Sequence, residues 1–383
     1  MSSKPYQVYI ADVSYFSGKF EAYLRYKQIP YNRIEATPTN LLNEVYPATG
    51  LMKVPVAQTP DGDWLKDTTP MIQWFERQHP NPSVMPDDPA TRFIALLCED
   101  YADEWLWRPA LYYRWRFKDD RKLLSRRISR EILAKFPGPQ GFKAWYFALR
   151  QDRLHIKHDG VRPKNEAHVQ ATYLNLLDGL ETLFADRPFV LGSHPSIADF
   201  GLFGPLFRHF NIDPTPAKIM RDRAPAVYEW VARLWNARAD RLPETPEWAT
   251  ADHAGWQHLL TEFREVYLPY LAANSAALAA GESHFDFHTQ GVIYPQLPVN
   301  RYRVWCHNQL QKTYAGLGVD AQTQVGNLIG TNVCTWLQQA PVDSGLEGCF
   351  DLPLPRKNYS ARGLKRLNLY LNGTPTDHPQ PTR

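Results

Sequence analysis

Two hydroxyls three residues apart, Ser14 and Ser17 in the stretch Ser14-Tyr15-Phe16-Ser17-Gly18-Lys19, follow an alternating run, Gln7-Val8-Tyr9-Ile10, and open an amphipathic stretch from Phe16 to about Gln28. The run reads as a strand and the stretch as a helix, so the serines fall at a strand-to-helix turn. At such a turn the free N–H groups and the positive end of the helix dipole stabilise an anion. The spacing is that of a Cys-x-x-Cys redox pair with both thiols replaced; in the thiol version the helix end lowers the thiol pKa. Hydroxyls cannot form a disulfide, but an O–H can donate to a thiolate that a ligand brings in. Taken alone the same pattern is an ordinary N-cap, so the surrounding elements decide what it means.

Ile29-Pro30 ends the first helix, and Tyr31-Asn32-Arg33-Ile34-Glu35 alternates as a second strand. A β-α-β unit with a right-handed crossover follows. Thr39 to Tyr46 reads as a short helix or turn, and Val54-Pro55-Val56 places a proline where only a strand start or edge tolerates one, a position suited to a cis bond. Strands at Val54 to Gln58 and Trp64-Leu65 bracket a Pro60-Asp61-Gly62 turn. Asp67-Thr68-Thr69 then opens a helix through Met71 to Phe75. The order β-α-β-α-β-β-α is thioredoxin-like, and it turns two helix N-termini, at Ser14 and at Thr68, toward one groove.

In this order, Ser14 after the first strand, Ile29-Pro30-Tyr31, Lys53-Val54-Pro55 and Asp67-Thr68 resemble the motifs of the glutathione transferase superfamily, in its serine-type branch. The resemblance implies that Ser14 is the catalytic hydroxyl holding the glutathione thiolate, with Tyr15 and Ser17 as the alternatives. It implies that Val54, ahead of a cis Pro55, pairs through its backbone with the cysteinyl part of the tripeptide. Asp67 and Thr68 then take the γ-glutamyl amine and carboxylate, and Lys53 reaches for the glycyl carboxylate. Gly18 departs from the pattern, since many members carry a basic or larger residue there. Pro70 lies in the first turn of its helix, where proline is tolerated.

A proline-rich segment, Pro80 to Pro89, marks a domain boundary. Beyond it Phe93, Leu97, Tyr101 and Trp105 recur at helical spacing with Glu99, Asp103 and Glu104 among them. The aromatics Trp105, Trp107, Tyr112, Tyr113 and Trp115, interleaved with Arg108, Arg114 and Arg116, read as core; the resemblance implies that this region walls a pocket for a hydrophobic co-substrate, with Trp105, Arg108 and Tyr112 as its candidates. Lys118 to Arg130 is basic but diluted by Asp119, Asp120 and Glu131, which suits a solvated helix face. Phe136 to Gly141 reads as a loop, Lys164 to Phe184 as a helix, and Ser196-x-x-Asp199 as a capping box before a buried helix, matching the N-capping box of the superfamily's all-helical domain. A helix over Ala226 to Ala237 completes that pattern, and the resemblance ends near Arg241.

The remainder reads as a helix from Ala254 to Leu278 kinked or broken at Pro269, an alternating His284-Phe285-Asp286-Phe287-His288, a helix from Arg301 to Leu317, and a basic end around Arg356 to Arg366 that is exposed or disordered. His284, Asp286 and His288 would share one strand face; a metal site there is conceivable, and an ordinary polar surface is the preferred reading. The fold class is therefore α/β plus all-α: a thioredoxin-like domain over 1–85, an all-helical domain over 90–250, and a mostly helical extension over 251–383. A composition of 44% hydrophobic, 22% charged and 13% aromatic residues is that of a globular protein with large cores, and a net charge of +3 is too small to argue for nucleic acid or a membrane surface. No apolar leader or run of about 18 apolar residues is present, so a cytoplasmic setting is expected. The 4 cysteines fall in no metal or redox spacing and read as buried thiols, and no metal is expected. The resemblance implies glutathione as co-substrate, a hydrophobic small molecule as its partner, and a homodimer. The expected reaction is attack of the glutathione thiolate on a hydrophobic electrophile. Isomerisation, ether cleavage or dehalogenation on the same fold, and a non-catalytic scaffold, are the alternatives.

Overall fold

A computed structural model describes residues 4–132, 138–151, 158–356 and 359. The alternating run forms β1 (Tyr6–Ile10), which buries Val8 and Ile10 completely. After it come α1 (Tyr15–Tyr26) and β2 (Tyr31–Glu35), which pairs in parallel with β1 so that Tyr6 faces Tyr31 and Ile10 faces Glu35. The segment expected as a short helix or turn is an irregular helical passage: α2 (Pro38–Asn40), a π-helical turn over Leu41–Val45, and α3 (Tyr46–Thr49). β3 (Val56–Gln58) and β4 (Trp64–Lys66) follow, and α4 (Thr68–Gln78) closes the unit. The mixed sheet runs β2-β1-β3-β4, with β3 antiparallel to both β1 and β4. The Val54–Pro55 peptide is cis. This is a thioredoxin-like domain.

The helices that follow are α5 (Pro89–Glu104), α6 (Trp107–Arg116), α7 (Lys118–Ile132), α8 (Gln140–Gln151), α9 (Glu166–Phe184), α10 (Ile197–Pro205), α11 (Pro214–Arg223) and α12 (Pro225–Asn236). The capping box at α10 forms as its sequence requires, with Asp199 accepting from Ser196 N at 2.9 Å and from Ser196 Oγ at 2.8 Å. The same carboxylate takes Val190 N and Trp230 Nε1, which ties α12 to the start of α10. α10 and α5 touch closely at Gly201, where a Cβ would stand 2.6 Å from Glu99 Cα. Residues 140 and 141, read as loop, begin α8, and residues 136 and 137 of that expected loop lie outside the described residues. α8 leaves Phe142, Trp145, Tyr146 and Leu149 exposed.

The extension contributes α13 (Gln257–Glu262), α14 (Leu268–Ala279), the hairpin β5 (His284–Thr289) and β6 (Val292–Pro298), then α15 (Arg301–Ala315), α16 (Val319–Ile329) and α17 (Thr331–Leu337). Pro269 does not break the first of these. The chain stays helical from Gln257 to Ala279, because a wider π turn over Phe263–Tyr267 absorbs the ring and missing N–H of the proline. β5 alternates as expected, with His284, Asp286 and His288 on its exposed face, and Asp286 accepts from Gln296 N at 2.7 Å. Among the described residues no group of His, Cys, Asp and Glu is placed to hold a metal. Cys98, Cys306 and Cys334 are buried free thiols and Cys349 is half-buried. Of the basic end, Arg356 pairs with Asp63, and most of the rest lies outside the described residues.

The extension is packed into the body and not appended to it. Tyr267 Oη donates to Asp100 at 2.6 Å, Tyr101 Oη to Glu262 at 3.1 Å, and Arg303 Nε to Glu104 at 2.8 Å, so α5 is gripped along its length. Further on, Leu354 N donates to Trp64 O at 2.8 Å, bringing the chain back to the edge strand β4. Among the described residues no helix is long and apolar enough to cross a membrane.

Candidate active site

Ser14 is the N-cap of α1. Its backbone is extended (φ −83°, ψ 125°) and its Oγ accepts from Ser17 N at 3.2 Å, the cap bond its type and place lead one to expect. The hydroxyl proton is aimed at Val54 O, 3.5 Å away, at the outer limit of a hydrogen bond. Two pieces separated by forty positions, the Ser-x-x-Ser turn and the residue before the cis proline, therefore meet at one half-buried oxygen. The other two candidates point elsewhere. Ser17 is buried and its Oγ accepts from Ala11 N at 3.2 Å, bracing the loop before Ser14. Tyr15 is fully buried, and its hydroxyl donates to Ala102 O on α5. Burial first, then the charges of Asp103 and Glu104, push its pKa well above the ordinary phenol value. It holds the domains together and does not face the Ser14 hydroxyl's side.

Across the groove Asp67 precedes α4 with φ at +70°, a left-handed conformation that costs a non-glycine residue energy and holds only where the surroundings fix it. Its side chain makes no cap bond to α4. Thr68 is buried at the head of that helix, and Lys53 is exposed beside the cis peptide. Burial raises the Asp67 pKa to about 6, against the lowering effect of a hydrogen bond from Tyr302 and of the Lys19 charge. Tyr302 lies on α15, so the extension reaches the predicted glutathione-binding end of the groove.

Beneath this end lies a network the sequence reading passed over. Lys19, fully buried on α1, pairs with Glu99 and with Asp103 at 2.5 Å, while Thr69 Oγ1 donates to Glu99 at 2.5 Å. Burial alone would depress the Lys19 pKa, but Asp103 and Glu99 outweigh it and push it up. The signal was available: Glu99 and Asp103 sit one turn apart within the apolar stripe of α5, and carboxylates buried there demand a cation. A second missed residue is Arg114 on α6. A buried pair with Asp213 (2.8 and 3.0 Å) anchors its guanidinium, and Nη1 donates to Val13 O, the carbonyl next to Ser14, at 3.3 Å.

Of the three candidates for a co-substrate pocket, the structure brings Arg108 and Trp105 together, the guanidinium lying 4.1 Å over the ring, and turns Tyr112 away. Trp105 is buried core, packed edge-on to Phe287 and Tyr294 of the extension's hairpin. Tyr112 is turned to α9, donating to Glu166 at 3.3 Å and accepting from Gln170 at 2.8 Å. Arg108 alone lines a cavity, together with Trp107, Tyr270 and Arg303. Trp107 stacks on Phe16, two positions after Ser14, both rings half-buried, with centroids 6.1 Å apart and planes inclined by 24°.

A thioredoxin-like sheet joined to an all-helical domain, with a hydroxyl at the first helix's N-terminus, defines the class of fold. Residues 8–83 match the family model of the glutathione S-transferase N-terminal domain, and residues 150–233 match that of its C-terminal domain. The two matches show both domains of the glutathione S-transferase family within this chain. Among solved structures, a glutathione S-transferase from Rhodospirillum rubrum F11 is 19% identical over 67% of this chain and 92% of its own, with a TM-score of 0.38. One from Methylobacterium radiotolerans JCM 2831, in complex with glutathione sulfonate, is 21% identical over 63% of this chain and 96% of its own, with a TM-score of 0.37. FzlA from C. crescentus is 18% identical over 60% and 88%, with a TM-score of 0.40. No curated protein matches the chain in sequence.

Proposed function

We propose that this protein is a serine-type glutathione transferase in which Ser14 activates the glutathione thiol. The observation that carries the reading is the state of one oxygen. Ser17 N–H already occupies an acceptor site on Ser14 Oγ, and the proton has only a long contact to Val54 O, so it is free to turn to a thiolate without losing a strong bond. The γ-glutamyl ammonium is met by Asp67, its carboxylate by the head of α4 with Thr68, and the cysteinyl main chain by the backbone at Val54. The thiolate gains a hydrogen bond and the field of the α1 N-terminus, both of which favour the charged form. It then attacks an electrophilic carbon lying on Phe16 and Trp107. A carbon–sulfur bond forms, and the displaced electron pair leaves with the leaving group or passes onto the acceptor.

One observation favours a second reading, a scaffold that does not use glutathione. Asp67 already receives a hydrogen bond from Tyr302 of the same chain, and glutathione has to share or displace it. The pKa of bound glutathione, followed by thiolate absorbance against pH, separates the two. A depressed pKa supports the transferase; absence of glutathione binding leaves the scaffold.

A further inference from the structure

Arg108 on α6 is 2% exposed, yet among the described residues its Nη1 and Nη2 have no hydrogen-bond partner. Its Nε donates to the main-chain carbonyl of Asp159 at 3.3 Å. The guanidinium lies over the Trp105 ring at 4.1 Å and the Tyr270 ring at 4.7 Å. Those faces attract the cation but accept none of the N–H groups on the two terminal nitrogens in the manner of an oxygen. A buried guanidinium without an acceptor is costly, and in folded proteins such a group is met by an anion or by ordered water.

Arg108 lines a cavity of about 20 Å³. That exceeds the ~10–15 Å³ a single water needs, so there is room for a small polar group against the guanidinium. His158 also lines it, and its Nε2 is likewise buried without a partner. The Arg303 charge is met by Glu104 at 2.8 Å, and its Nη1 by the Tyr270 hydroxyl at 2.6 Å, so the unmet charge belongs to Arg108. Among the described residues Asp159 is the one acidic residue of the lining, and its bond to Arg108 is through the main chain. Trp107 gives the cavity its direction, because its ring lines this space and also stacks on Phe16, two positions after Ser14.

We infer that this cavity binds a carboxylate through Arg108, and that the electrophile taken by the enzyme is an acid whose body lies along Trp107 toward Ser14. A planar guanidinium with both terminal nitrogens free matches a carboxylate in the two-pronged fashion that lysine cannot reproduce. The second half of the inference rests on the transferase reading; the first does not.

Two measurements on the full-length protein keep the halves apart. In the first, acetate and its neutral counterpart acetamide are titrated while tryptophan emission is followed, since Trp105 and Trp107 flank Arg108. Saturable change with acetate alone, abolished in Arg108→Gln and weakened in Arg108→Lys, is expected. No saturable response of the wild type to acetate, or an equal response to acetamide, overturns the anion site whatever the variants do. In the second, glutathione conjugation of an α,β-unsaturated carboxylic acid is compared with that of its methyl ester. Measured against its own uncatalysed reaction, the acid should be accelerated roughly ten- to hundredfold more than the ester, the range expected of one charge-assisted pair, with that excess lost in Arg108→Gln. Equal acceleration of acid and ester by the wild type overturns the acidic substrate class. Turnover of neither, with acetate still bound, removes the transferase reading and leaves the anion site standing.

Discussion

Replacing Ser14 by alanine removes two separable things, and their sizes follow from the geometry. The cap bond from Ser17 N at 3.2 Å is lost, which costs about 1 kcal/mol of stability. The donor to the thiolate is lost as well, and a hydrogen bond to a charged group contributes about 1.5–3 kcal/mol. At about 1.4 kcal/mol per unit, the pKa of bound glutathione should rise by roughly 1–2 units. The assay is thiolate absorbance of the enzyme–glutathione complex against pH, with urea unfolding of the same samples. Conjugation at pH 6.5 should fall roughly ten- to hundredfold, and the deficit should shrink as pH passes the variant's thiol pKa. Ser14→Asp provides the dissociation: aspartate restores the cap but sets a like charge beside the thiolate, so stability recovers while the thiol pKa stays high. Tyr15→Phe is the matching control, because the Tyr15 hydroxyl is bonded to Ala102 O; it should cost about 1 kcal/mol of stability and leave the thiol pKa where it was. A Ser14→Ala enzyme whose bound thiol pKa stays within a few tenths of a unit of wild type would refute the assignment.

Glutathione affinity should be level above pH 6 and weaken about tenfold per unit below it, since Asp67, with its pKa raised to about 6, must be ionised to hold an ammonium. Calorimetry across that range should show the dependence lost in Asp67→Asn and its midpoint moved upward in Tyr302→Phe, because the Tyr302 hydrogen bond lowers the Asp67 pKa. Arg114→Met leaves Asp213 buried without its counter-charge and should cost about 3–5 kcal/mol in urea unfolding, part of it recovered on adding Asp213→Asn. Burial raises the Glu262 pKa to about 7, so the native state holds a proton the unfolded chain has released, and this contribution to stability declines as pH rises through 7. Glu262→Gln should therefore gain on wild type by on the order of 2 kcal/mol between pH 5.5 and 7.5, read as the difference between their unfolding free energies.

The elements that hold Ser14 were legible because they are local. A strand, a turn with a capping hydroxyl, a proline that excludes a sheet interior and a capping box at Ser196 each declare themselves within a few residues, and each is found. The bounds drifted by a residue or two, as at Glu166 and Pro225, because helix ends depend on which N–H groups find acceptors. The helix passes Pro269 without a break because a proline removes one hydrogen bond and does not stop the backbone from widening to absorb it. The site was less legible than the fold wherever its parts come from distant segments. Nothing near Trp105 says that Phe287 and Tyr294 will cover it, and nothing near Asp67 announces Tyr302. Arg108 and Tyr112 lie one helical turn apart, yet only Arg108 reaches the cavity, a choice made by residues more than forty positions downstream.

The acids of α5 connect these distant parts. Glu99 and Asp103 lie one turn apart and look to Lys19 in the thioredoxin-like domain; Asp100 and Glu104, shifted by one position, look to Tyr267 and Arg303 in the extension. Buried carboxylates on adjoining faces of one helix are tolerable only if both partners are docked at once, since removing either leaves charge in a low-dielectric interior. The pKa of Asp103 shows the strain of this arrangement: burial drives it well above the ordinary value although Lys19 pulls it down. Asp67 stands where the two sets meet. Its ionisation is set by its own burial, by Lys19 from one side, by Tyr302 from the other, and by Glu104 and Glu99 beneath. If Asp67 holds the glutathione ammonium, the extension is a constituent of the glutathione site, and how tightly α15 is seated fixes the charge that the tripeptide meets.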